Sequence, residues 1–187
     1  MSVSHNYLTL RWDKVPYVNE QGSFKFLWEI EDKDGNLPEW IQPVRFSDEI
    51  DDYRFSSWHG FMSFRDWFAE AKSLMDPILV DKFSSLFQDV GLLMNDDYSY
   101  VPIRRDVVID DKWLLGAIPP ADVVELHRRA MELDRDVVRA EFQKALDEKP
   151  SDMYDTGEAV AEWLDALRVG LDDVVKRSHF GIIIGAA

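Results

Sequence analysis

Residues His179 to Gly185 place Phe180, Ile182, Ile183 and Ile184 in a nearly continuous apolar run of mostly β-branched side chains, the pattern of a strand buried inside a sheet. Such a strand needs hydrogen-bonding neighbours and apolar cover on both faces, so the rest of the chain has to supply a sheet and packed layers. With 187 residues, 46% of them hydrophobic, there is enough material for one sizeable core. A single domain over 1–187 is expected, with any subdomain seam near 95–105.

Helical periodicity dominates the middle and later parts. Phe61, Phe64, Trp67, Phe68, Ala71, Leu74 and Met75 recur at three and four residues and define one stripe. Asp76 and Pro77 end that helix and open the next, whose stripe is Leu79, Phe83, Leu86 and Phe87 and whose end is Gly91. Residues 95–100 read as a loop, and Val107, Val108 and Ile109 as a short strand over 106–110. Pro119 and Pro120 open a helix carrying Val123, Leu126, Ala130 and Leu133, and a second helix puts Val138, Phe142, Ala145 and Leu146 on one face. After Pro150 comes the most regular stripe, Val160, Trp163, Leu164, Leu167, Leu171, Val174 and Val175, capped by Asp155 or Thr156.

The first hundred residues hold 19 of the 24 aromatic side chains and begin with a different period. Tyr7, Leu8, Leu10 and Trp12 interleave with Thr9 and Arg11, which predicts a strand. Phe24, Phe26, Trp28 and Ile30 alternate with Ser23, Lys25, Leu27 and Glu29, which predicts another. Asp32 to Asn36 supplies a turn, and a return strand over Trp40 to Phe46 is confined to an edge by Pro38 and Pro43. The expected fold is therefore α+β: an antiparallel, aromatic-rich sheet, helices packed on one face and a late strand near the C-terminus.

Thirty-six acids against twenty-one bases give a net charge of −15, which repels bare nucleic acid and anionic membrane and suits a basic protein partner. Without cysteine there can be no disulfide, thiolate zinc site, iron–sulfur cluster or cysteine nucleophile, and the composition fits a reducing compartment. Met1 to Tyr7 has neither a basic start nor an apolar stretch, and no run approaches the roughly 18 apolar residues of a membrane span. A cytoplasmic protein is expected.

Motifs for cofactors are lacking as well. Neither GxGxxG nor GxxxxGK[ST] occurs, so no nucleotide cofactor is expected. His5, His59, His127 and His179 stand outside any HExxH, HxH or facial-triad pattern, so no metal is expected. Asp32 to Asn36 is not a calcium loop, because glycine falls at the fourth position and Pro43 stands where the bidentate glutamate belongs. Ser56 and Ser57 near His59 lack a GxSxG frame, which makes a polar turn the simpler reading and leaves no catalytic residue to name.

Two features remain as candidate sites. Residues 29–52 hold nine acids and two bases, and within them Glu31, Asp32, Trp40, Asp48, Glu49, Asp51 and Asp52 are the candidate partner-binding residues. Arg54, His59 and Arg65, set among aromatics, are the candidate anion or ligand site. The plainer alternatives are a solvated acidic face and an Arg65 that pairs with nearby carboxylates.

The segment Arg54, Phe55, Ser56, Ser57, Trp58, His59, Gly60, Phe61, Met62, Ser63, Phe64, Arg65 resembles the pattern R-x-G-S-Y-x-G-Y-x-x-W-R of a group of uncharacterised bacterial and phage proteins. It matches at Arg54, Ser57, Gly60 and Arg65 and in aromatic character at Trp58, Phe61 and Phe64, with Ser56 in place of a glycine. Residues Trp163 to Ile184, with the Pro-opened helix before them, are similar to the end of the YfbM-like family of small α+β proteins. Neither resemblance implies a catalytic residue. The expected function is that of a non-enzymatic acidic binding protein, of inhibitor or immunity type, that engages a basic protein. The alternative is a small-molecule binder or hydrolase with a pocket near Arg54, His59 and Arg65.

Overall fold

The structure is a computed structural model that describes residues 5–28, 30, 36–44, 58–91, 114–151 and 156–186. Among these residues the sheet has four strands, β1 (His5–Arg11), β2 (Ile41–Pro43), β3 (Leu114–Ile118) and β4 (Phe180–Ala186), in the order β2-β1-β4-β3 with every pair antiparallel. The apolar run near the C-terminus is thus an inner strand, paired with β1 from His5↔Ala186 to Arg11↔Phe180 and with β3 on its other side. Among the described residues β2 takes an edge, as suits Pro43, and pairs with β1 alone.

Alternation along the inner strands separates two apolar layers. Tyr7, Ile182 and Ile184 join the larger cluster, whereas Leu8, Leu10 and Ile183 join a smaller one on the opposite face. Five helices build the larger layer: α2 (Trp58–Ala71), α3 (Pro77–Asp89), α4 (Pro120–Glu132), α5 (Arg135–Glu148) and α6 (Gly157–Lys176). The opposite face is covered by the short helix α1 (Val15–Glu20) and a 3-10 helix over Phe24–Trp28, through Val15, Val18, Phe24 and Leu27. Among the described residues the rings of the first half meet mainly inside the helical layer. Phe64 and Phe68 of α2 and Phe83 of α3 lie against Phe142 of α5 at centroid distances of 6.3, 5.8 and 4.8 Å.

The expected strand over 23–30 is corrected by this arrangement. Phe24 and Leu27 are both fully buried in the same cluster, and residues three apart share a side only on a helix. Ser23 Oγ accepts the N–H of Lys25 and starts the 3-10 turn. The remaining helical expectations hold closely. Asp76 caps α3, its carboxylate accepting the N–H groups of Ile78 and Leu79 at 2.9 Å each, and Pro77 takes the first helical position. Gly91 follows that helix at φ 72°, and its carbonyl accepts the Tyr7 hydroxyl. Thr156 caps α6 by accepting the N–H of Ala159, and Asp155 lies outside the described residues. The loop over 95–100, the strand over 106–110 and, of the turn over Asp32 to Asn36, all but Asn36 lie outside the described residues.

Because Asp76 satisfies two of the free donors of α3, Asp76→Ala is expected to lower stability by about 1 kcal/mol, measured by urea denaturation.

Candidate functional site

Trp12 follows β1 directly, and its backbone N–H donates to the carbonyl of His179 at 2.8 Å, which joins the end of β1 to the turn that leads into β4. The Trp12 ring then lies over Gly181. A Cβ at that position would stand 2.5 Å from the ring and 2.5 Å from the Ile118 carbonyl oxygen, so only glycine fits. His179 sits in the turn at φ 76°, the left-handed region that costs an ordinary L-residue about 1 kcal/mol and glycine almost nothing. Its side chain is exposed.

Around these residues the surface is concave. A hollow of about 570 Å³ is lined by Arg11, Trp12, Asp13, Pro120 and His179. A second, of about 270 Å³, is lined by Pro120 and His179 again and continues along Val124, Val174 and Val175 between α4 and α6. On the rim of the first hollow, Arg11 Nε donates to Asp13 at 2.7 Å. That hydrogen bond holds the Asp13 carboxyl below the usual carboxylate range. The groove therefore offers an aromatic ring, an imidazole, a self-neutralised ion pair, a strip of aliphatic side chains and the Arg177 side chain, itself paired with Asp173. Among the described residues no cluster of three or more metal-ligating side chains occurs.

Of the described residues singled out in the sequence, Trp40 and Arg65 line neither hollow. Trp40 is half-buried against the smaller cluster, edge-on to Tyr17 at 5.9 Å, and its carbonyl accepts the N–H of Arg11. Glu31, Asp32, Asp48, Glu49, Asp51, Asp52 and Arg54 are outside the described residues. His59 falls in the first turn of α2, with Arg65 six positions later; those positions are about 120° apart around the helix and about 9 Å apart along it. The Arg65 side chain is 11% exposed and pairs with Asp66, its Nε donating at 2.9 Å. Of the groove residues, Trp12, Pro120 and His179 appear in the sequence only as a strand aromatic, a helix opener and an isolated histidine. Nothing in their spacing announces a shared surface, because 167 positions separate Trp12 from His179 and the pairing of β1 with β4 brings them together.

Electrostatics divide the chain unevenly. The described stretches 58–91, 114–151 and 156–186 carry 18 acids and 12 bases. Ten of those bases are in ion pairs, among them Arg129 with Asp89 and Arg135 with Glu158 and Asp165. Among the described residues no helix is long and apolar enough to cross a membrane. Compared with protein-family models, curated proteins and solved structures, the chain matches none.

Proposed function

We propose that this chain is a non-enzymatic acidic binding protein, of inhibitor or immunity type, whose segment 29–52 engages a basic protein. The observation that carries the reading is the contrast in charge density. A balance of −7 is packed into 24 residues of that segment, while the helical stretches hold −6 over 103 residues and spend most of their bases on internal pairs. An unbalanced acidic segment raises the encounter rate with a cationic surface, and a half-buried aromatic such as Trp40 gives such a contact an apolar anchor. The cytoplasm, where no cysteine is needed, is the proposed location.

The second reading, a small-molecule binder or hydrolase centred on Arg54, His59 and Arg65, gains little from an Arg65 guanidinium sunk against Asp66. Capture from a lysate of the source cells, followed by calorimetry with the purified partner, tests the first reading. The charge-neutralised variant D48N/E49Q/D51N/D52N is expected to bind about tenfold more weakly or worse, as is the native protein in high salt. Retention of no basic protein, or equal binding by the variant, overturns it.

A further inference from the structure

The groove beside His179 has features that the acidic segment does not explain. Its larger hollow falls within the size range of small-molecule sites, and the smaller one prolongs it along one side. The two are chemically different. The first is aromatic and polar, with Trp12 on its wall and the Arg11–Asp13 pair on its rim; the second is mainly aliphatic, with Val124 left 55% exposed at its lip beside Val174 and Val175, and with Arg177, paired with Asp173, also in its lining. Pro120 and His179 line both. His179 stands there in a backbone conformation that glycine would take without strain, so the turn by itself gives no reason for an imidazole.

We infer that this two-lobed groove binds a small, uncharged or cationic amphipathic molecule, with a flat ring against Trp12 and His179 and an aliphatic arm along the valines. The ring gains dispersion and stacking contact from an aromatic wall, and the arm removes the exposed valine surface from water. An anion is disfavoured: Arg11 is already committed to Asp13 and Arg177 to Asp173 and Gln42, and the chain carries a net charge of −15.

Titration of the full chain with 1-butylbenzimidazole, benzimidazole and 1-butanol, followed by backbone amide shifts, tests the inference. Saturable shifts are expected at Trp12, Asp13 and His179 with both ring compounds, and at Val124 and Val175 only when the arm is present. The joined molecule should bind about tenfold tighter than benzimidazole, because in a groove open on one side about two of the arm's four carbons leave water. Val124→Glu, at an exposed helical position, should abolish that gain and leave benzimidazole binding unchanged. His179→Gly should weaken both ring compounds about threefold while the melting temperature holds or rises. No saturable shift at millimolar probe, shifts elsewhere on the surface, or no gain from the arm overturns the site. Undiminished binding by His179→Gly, or its clear destabilisation, assigns the imidazole to the turn and overturns its role.

Discussion

Phe142→Ala is expected to destabilise the protein by about 3–5 kcal/mol. Phe142 lies on the inner face of α5 and is 1% exposed. Its ring is stacked with Phe68 at 5.8 Å, tilted against Phe83 at 4.8 Å and Trp67 at 6.1 Å, and stacked with Phe64 at 6.3 Å. Three helices therefore converge on one ring. Truncation removes a large apolar surface from the core and leaves a cavity bounded by rigid rings, which cannot collapse as flexible side chains do. The same helices are also latched by polar groups: Trp67 Nε1 donates to the Lys149 carbonyl at 2.8 Å, and Glu141 accepts the Asp76 N–H at 2.8 Å. These latches hold α5 in place, so relaxation around the void is small and the cost should sit toward the upper end of the range. Thermal unfolding should show a midpoint lowered by on the order of 10 °C. A loss below about 1 kcal/mol would mean that the aromatic cluster is not the centre of the helical core.

The parts of this fold that were legible in the sequence are those where local periodicity and burial agree. Leu79, Phe83, Leu86 and Phe87 recur at helical spacing and are all buried, and the same holds for Val160, Trp163, Leu164 and Leu167. The Ile182–Ile184 run is legible because an inner strand has no polar face to disguise. Legibility fails where tertiary pairing decides. Leu114–Ile118 contains Gly116 and Ala117, weak strand formers, and becomes β3 because β4 offers it an edge, with a bulge between Leu114 and Gly116. Phe24–Trp28 alternates like a strand, yet the surface of β1 needs Phe24 and Leu27 together, and a 3-10 turn delivers both. The groove was hidden for a further reason. It is a property of the β1–β4 pairing and of the start of α4, and spacing along the chain reports neither.

Gly157→Ala is the second substitution expected to have a large effect, although it adds a single methyl group. Gly157 is the first residue of α6 and is buried against α5. A Cβ there would lie 2.0 Å from the carbonyl oxygen of Arg139 and 2.7 Å from the backbone N of Gln143. Both obstacles are main chain in the middle of a helix, so no side-chain rotation relieves the overlap and the two helices must separate. Separation also strains the hydrogen bond from the Gly157 N–H to Gln143 Oε1 at 2.9 Å and the ion pairs of Arg135 with Glu158 and Asp165. Overpacking of this kind costs about 1–3 kcal/mol where neighbours yield. Against two turns of backbone the cost should reach about 3 kcal/mol or more, which offsets the usual gain of helix propensity for alanine over glycine. Urea denaturation of the variant checks the value. Because Trp163 lies on α6 within 5.1 Å of Phe64, its fluorescence reports any movement of α6 against α2. An unchanged midpoint with unchanged tryptophan emission would show that α5 and α6 are not held at the distance described here.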